Sequence, residues 1–264
     1  MLRVSFIQSD LVWEDPMENR RLFGEKIEAL VGQTDLIVLP EMFTTGFSMQ
    51  PKGKAELFPG YSLKWMQQQA EKTNACVCGS VMSEEKGCYY NRLLFVKPDG
   101  TYHSYDKRHL FRMAGEDAEY TAGMNRLVIT WKGWRILPLV CYDLRFPVWS
   151  RNTSFETQGK ELVYDLLIYV ANWPERRNFA WKSLLPARAI ENMSYLVAVN
   201  RIGIDNTGLS YSGDSGIYDF MGQKLSVAQA HQAVAETITL DKNALDEFRK
   251  QFPAWMDADE YHLK

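Results

Sequence analysis

A thiol, two carboxylates and an ammonium carry the chemistry that this sequence offers. Cys141 lies in Leu137-Pro-Leu-Val-Cys-Tyr-Asp-Leu-Arg-Phe-Pro147, where an apolar run gives way abruptly to polar residues and a proline able to start a helix. A nucleophile on such a strand-to-helix elbow is pushed out of the sheet, and the next backbone N–H, that of Tyr142, is free to face an oxyanion. Taken alone, Cys141 reads more simply as a small hydrophobe ending a strand. Glu41 ends the run Leu36-Ile-Val-Leu-Pro40 and precedes Met42-Phe43, a partly desolvated setting that suits a carboxylate to general-base work. Lys107 sits in Tyr105-Asp-Lys-Arg-His-Leu-Phe111. On its own that cluster is a solvated face; beside a thiol and a carboxylate it supplies a fixed cation for an oxyanion. Glu116 stands among other acids in Gly115-Glu-Asp-Ala-Glu119, a pattern that an ordinary loop shares.

The elements around these residues place three of them alike. Leu2, Val4 and Phe6 alternate as in a half-buried strand, and Pro16 opens a segment whose Phe23, Ile27, Leu30 and Val31 share a helical face. Leu36–Leu39 reads as a strand buried on both faces. Leu63, Met66 and Ala70 recur at helical spacing, Val77–Met82 reads as a strand, and Leu93–Val96 turns at Pro98-Asp-Gly100 into a strand over Thr101–Lys107. A second hairpin joins Leu127–Trp131 to Arg135–Val140. Leu166–Ala171 is a strand, a helix runs from about Arg177 to Met193, and Tyr195–Val199 is again a strand. Glu41, Lys107 and Cys141 thus fall at or just past strand ends, where sites in α/β sheets form.

Composition narrows the classes. The 264 residues are 46% hydrophobic and 24% charged with a formal charge of −3, ordinary for a globular domain and unattractive to nucleic acid. No window is apolar enough to cross a bilayer, and the first ten residues lack a signal-peptide core, so a cytoplasmic protein without a membrane partner is expected. Four cysteines are too few for a disulfide framework. Cys76-Val-Cys78 lacks zinc spacing, and no Gly-rich phosphate or dinucleotide motif follows a strand; neither metal nor cofactor is expected. With no repeat or linker, residues 1–264 read as one domain, with a helical tail from about 241 that could pack on a partner subunit.

Together, Leu39-Pro-Glu-Met-Phe43, Tyr105-Asp-Lys-Arg-His-Leu-Phe111 and Leu139-Val-Cys-Tyr-Asp-Leu-Arg145 resemble the three signature stretches of the nitrilase (carbon–nitrogen hydrolase) superfamily, in that family's order. Similarity extends through Tyr169-Val-Ala-Asn-Trp-Pro174, Arg188-Ala-Ile-Glu-Asn192 and Val199-Asn-Arg201 to Ser212-Gly-Asp-Ser215. The resemblance implies a four-layer αββα sandwich of two mixed β-sheets flanked by helices, with subunits paired as a homodimer or higher homo-oligomer. It implies Glu41 as general base, Lys107 as oxyanion cation and Cys141 as nucleophile. Spacing to Thr121-Ala-Gly123 puts the family's second glutamate at Glu116, although Ala122 stands where relatives have proline. The stretches 107–116 and 141–147 resemble the omega-amidase branch, which hydrolyses the terminal amide of small acids such as α-ketoglutaramate and succinamate-like compounds.

A small-molecule amide is therefore the expected partner. Phe43, Phe47, Phe111 and Trp173 are candidates for an apolar pocket wall beside Tyr142, and Arg145 for a bidentate grip on a substrate carboxylate. Core packing of the aromatics and an ion pair of Arg145 with Asp143 or Glu116 are the competing readings. His109 reads as structural. Other readings are a nitrilase or N-carbamoyl amidohydrolase of the same superfamily, a two-carboxylate glycosidase using Glu41 and Glu116, and a catalytically silent binding module. Gly213-Asp-Ser-Gly216 resembles a serine-protease segment, but the βα pattern argues against that all-β fold.

Overall fold

The computed structural model describes residues 1–152 and 161–259; the end of the expected tail, from 260, lies outside the described residues. The chain first forms β1 (Leu2–Gln8), α1 (Pro16–Glu28), β2 (Leu36–Val38), β3 (Glu56–Leu57), α2 (Tyr61–Thr73), β4 (Cys76–Glu85), β5 (Cys88–Val96) and β6 (Tyr102–Asp106). It continues with α3 (Glu116–Glu119), β7 (Ile129–Trp131), β8 (Trp134–Val140), α4 (Pro147–Ser150), β9 (Leu166–Ala171) and α5 (Asn178–Asn192). The last elements are β10 (Tyr195–Asn200), β11 (Ile202–Ile204), β12 (Ser210–Ser212), β13 (Gly216–Tyr218), β14 (Val234–Leu240) and α6 (Lys242–Gln251).

Two mixed sheets result. One runs β14-β1-β2-β4-β5-β6, with β3 added beside β4; the other runs β13-β10-β9-β8-β7. In each, three parallel strands form the centre and antiparallel strands the flanks. The period-two alternation of strand side chains decides the layering. On the first sheet Val4, Phe6, Val38, Cys78 and Phe95 turn to the core shared with β8, β9 and β10. Their neighbours Ile37, Leu39, Val77 and Leu94 face Phe23 and Ile27 of α1 and Leu63 and Met66 of α2. On the far side, Trp181, Leu185 and Ala189 of α5 join the core of the second sheet. The order helix, sheet, sheet, helix is the αββα sandwich that the motifs imply.

The sequence reading needs correction in places. Helix α1 stops at Glu28 and loosens into tight turns, with the N–H of Leu30 on Ile27 and that of Val31 on Glu28, so Leu30 and the exposed Val31 lie beyond it. Helix α5 falls where expected, opening at Asn178 after the separate tight turn Glu175–Arg177. Strand β14 pairs all along β1, from Leu2 opposite Leu240 to Gln8 opposite Val234; as a half-exposed edge strand it carries only a weak apolar alternation. Helix α6 packs on its own chain through one face, with Leu245 buried in the core and Phe248 stacked on Phe220 at 4.7 Å.

Candidate active site

Each key residue follows a strand. Cys141 comes directly after β8 and is the first residue of a tight helical turn, Cys141–Arg145. Its φ of 44° lies in the left-handed region, a conformation that costs a non-glycine residue about 1–3 kcal/mol and persists only where surroundings enforce it. Asp143 enforces it. That fully buried carboxylate accepts from the N–H groups of Val140 and His109, both at 3.0 Å, and from the Tyr105 hydroxyl at 2.8 Å. His109 Nδ1 lies 2.8 Å from Asp143 as well, with its ring stacked on Phe146, which is the structural role expected of it.

Lys107 comes directly after β6, held by its N–H on the carbonyl of Asn91 at 3.0 Å. Glu41 lies three residues past β2, where the next N–H, that of Met42, bonds Ser80 Oγ at 2.8 Å. Glu41, Lys107 and Glu116 are all fully buried. Lys107 Nζ donates to Glu41 Oε1 at 2.9 Å and to Glu116 Oε1 and Oε2 at 3.0 and 2.8 Å. Past Glu116, the N–H of Gly123 bonds the Lys107 carbonyl at 3.0 Å. A Cβ at Gly123 would sit 2.0 Å from the Asp106 carbonyl oxygen, so the glycine is required.

The Cys141 thiol feels the charges of both Glu41 and Lys107, the pair joined at 2.9 Å. Burial, then the charge of Glu41, push the thiol well above its ordinary range; the resting sulfur is a neutral thiol beside a proton acceptor. Burial works against the Lys107 charge, but Glu116 and Glu41 outweigh it and raise the pKa, so the ammonium is permanent. Burial pushes Glu116 up as well, while every hydrogen bond at its oxygens comes from a donor: Lys107, Asn91 and the Phe111 N–H.

Two asparagines complete the arrangement and carry no strong sequence signal. Asn91 Nδ2 donates to Glu41 Oε1 at 2.7 Å and to Glu116 Oε1 at 3.2 Å. Its place on the same face of β5 as the core residues Leu93 and Phe95 is the clue that could have found it. Asn172, just past β9 of the second sheet, gives its N–H to Glu41 Oε2 at 2.7 Å.

Cys141 opens onto a cavity of about 220 Å³, below the roughly 300–1,000 Å³ of sites for drug-sized ligands. Phe47, Phe111, Tyr142, Arg145 and Trp173 line it as expected, joined by Asn172, Arg176, Arg177 and Tyr211. Phe43 does not: it is fully buried in the helix-facing core, with ring centroids 5.6 Å from both Phe23 and Trp65, because the loop after β2 turns that side chain outward. Arg145 lies 5.0 Å over the Trp173 ring and, among the described residues, makes no ion pair with Asp143 or Glu116. Lys107 occupies the space between Glu41 and Glu116, where a glycosidase needs room for a glycosidic oxygen. No group of side chains among the described residues could hold a metal ion.

Comparison with known proteins agrees with this geometry. Residues 3–250 match the carbon-nitrogen hydrolase family model. The chain is 48% identical to omega-amidase YafV of Escherichia coli over 99% of its own length and 98% of that protein. It is 31% identical to a 2-oxoglutaramate amidase of Bacillus subtilis, over 96% of each chain. Among solved structures, a CN-hydrolase superfamily protein of Xanthomonas campestris with an arsenic adduct in its active site superposes with a TM-score of 0.94 at 46% identity, covering 100% of this chain and 99% of that one. Family model, identity over the whole length and fold converge: this chain belongs to the carbon–nitrogen hydrolase, or nitrilase, superfamily and to its omega-amidase branch.

Proposed function

We propose that the chain is an omega-amidase, hydrolysing the terminal amide of small omega-amido acids to carboxylate and ammonia through a thioester on Cys141. The observation that carries this is the Cys141 thiol, under the charges of the hydrogen-bonded Glu41–Lys107 pair, in a small cavity whose wall bears arginines and, among the described residues, no carboxylate. The names of the relatives, omega-amidase and 2-oxoglutaramate amidase, support the same substrate class.

In this reading Glu41 takes the thiol proton as sulfur bonds to the amide carbon. The oxyanion is met by Lys107 and by the Tyr142 N–H, which, near the start of its turn, has no helical acceptor. Collapse breaks the C–N bond, and Glu41 returns the proton to the departing ammonia. Glu41 then deprotonates a water that attacks the thioester, and the sulfur leaves and is reprotonated. Glu116 and Asn91 are positioning residues that hold Lys107 and Glu41. Phe47, Phe111, Tyr142 and Trp173 form the wall, and Arg145 meets the substrate carboxylate.

The test is ammonia release from α-ketoglutaramate, succinamate, glutamine, a simple nitrile and a carbamoyl amino acid, with and without a thiol reagent. The acidic amides should react, and alkylation or Cys141→Ala should reduce turnover by at least about a thousandfold. A nitrile or a carbamoyl compound as the best substrate would replace the branch reading. Turnover that survives thiol loss would remove the nucleophile.

We propose further that residues 1–264 form one domain and that the protein is cytoplasmic; no helix among the described residues is long and apolar enough to cross a membrane. A homodimer or higher homo-oligomer is proposed through the face of α5 and the segment that follows α6, where Ile190, Phe252 and Met256 are each more than half exposed. Light scattering after size exclusion tests this, with a monomer as the result against it.

A further inference from the structure

Three guanidinium groups, Arg145, Arg176 and Arg177, line the cavity that holds Cys141, and among the described residues its wall carries no carboxylate to balance them. They differ in setting. Arg145 and Arg176 are exposed to solvent, which hydrates their charge. Arg177 is half-buried, and its Nη1 is a buried donor without a hydrogen-bond partner among the described residues.

The surroundings of Arg177 are built. The Trp173 indole N–H donates to its carbonyl at 2.9 Å, fixing the backbone. The guanidinium lies 5.2 Å from the centre of the Phe111 ring, and Nη2 points to the Met113 sulfur at 2.7 Å. These partners are soft and uncharged: they orient the planar fork without satisfying it. Burial, then the neighbouring charges of Arg176 and Arg145, disfavour the cation. An unmet donor of this kind is rare in proteins and calls for a functional explanation, and a planar anion is what a guanidinium fork fits best.

We propose that Arg177 is the main receptor for the substrate's carboxylate, with Arg145 as its exposed auxiliary, so that the site selects short amides bearing a free carboxylate at the far end. The inference rests on the amidase reading and adds to it the residue that sets the substrate class. The same receptor holds the distal carboxylate of the dicarboxylate product, so short dicarboxylates compete with substrate.

The experiment compares succinamate with butyramide, its uncharged counterpart, in wild type, Arg177→Gln, Arg177→Lys and Arg145→Gln. The ratio of kcat/KM for succinamate over butyramide should fall at least tenfold in Arg177→Gln, mainly through KM. It should fall less in Arg177→Lys, which keeps the charge but loses the fork, and less in Arg145→Gln. Succinate binding, measured by isothermal titration calorimetry, should weaken in parallel and needs no turnover. Equal losses on both substrates, or a change of ratio confined to Arg145→Gln, would overturn the proposal. If wild type releases ammonia from neither amide, the amidase reading fails; if it does and the ratio survives in Arg177→Gln, only the receptor fails.

Discussion

Asn172 and Glu41, 131 residues apart and carried by different sheets, are joined by two hydrogen bonds: the Asn172 N–H to Glu41 Oε2 at 2.7 Å, and Asn172 Nδ2 to the Glu41 carbonyl at 2.5 Å. A carbonyl can only accept, so the orientation of the Asn172 amide is settled. Its Oδ1 is then an acceptor, buried and without a partner among the described residues, on a residue lining the cavity. The N–H of a substrate amide suits it. Asn172→Ala keeps the backbone bond to Glu41 but loses both side-chain functions, and kcat should fall about 10- to 100-fold, the cost of a small misplacement in the site. Steady-state kinetics on an acidic amide checks this; an unaltered kcat would show that the side chain is mere packing.

That asparagine also marks the limit of what the sequence reveals. Glu41 and Cys141 were legible because each ends an apolar run, where the break from strand to polar residue is visible locally, and Lys107 because its cluster gains a role once a thiol and a carboxylate stand beside it. The β-α alternation and the two hairpins gave the sheets for the same reason. The partners that hold the three together were not, because Asn91, Asn172 and Asp143 act across strands and sheets, and pairing between distant segments leaves no periodic trace. Arg177 was hidden otherwise: beside Arg176 and ahead of an apolar helix it looks like a solvated helix start. Phe43 shows the opposite error, since adjacency to Glu41 suggested the cavity while the turn of the loop sends it into the core.

Charge around the thiol predicts a divergence between turnover and alkylation. Burial is the leading cause that raises the Cys141 pKa, followed by the negative charge of Glu41, with Lys107 opposing. In Glu41→Gln the second cause is gone and the cation remains, so the thiol pKa drops and more thiolate exists at a given pH. Turnover should be lost with the proton acceptor while the second-order rate of iodoacetamide alkylation rises severalfold at pH 8, followed by mass spectrometry. A variant that alkylates more slowly than wild type would contradict this account of the thiol's electrostatics.

Asp143 should matter to both stability and rate, although it touches no reacting atom. Asparagine in its place replaces one acceptor oxygen with an NH2 group that faces donors, leaving at least one of Val140 N–H, His109 N–H and Tyr105 O–H unmet. Each buried donor left unsatisfied costs about 1–3 kcal/mol. Asp143→Asn should therefore unfold at lower denaturant concentration, and kcat should drop because the strained turn that presents Cys141 loses its brace. Loss of stability with full kcat would separate the elbow from the carboxylate.

The tail predicts an acid-dependent effect far from the cavity. Arg249 of α6 donates to Asp165 at 2.8 Å and to the carbonyls of Met193 and Tyr164, both at 2.9 Å, while Arg135 and Lys242 also pair with Asp165. Burial works to raise the Asp165 pKa, but the bonds from Arg135, then Arg249, outweigh it and hold the carboxyl well below its ordinary value. A depressed folded-state pKa means that the stabilisation is complete above the unfolded value, about 3.9, and is lost as pH falls below it. Asp165→Asn should cost about 3–5 kcal/mol at pH 7, since it strands a buried cation. The gap from wild type should narrow from about pH 4 downward as the wild-type carboxylate loses its advantage over the unfolded chain. Urea unfolding at pH 7, 5 and 3 measures this, and a gap of constant size across that range would show that the network does not hold Asp165 in its ionised form.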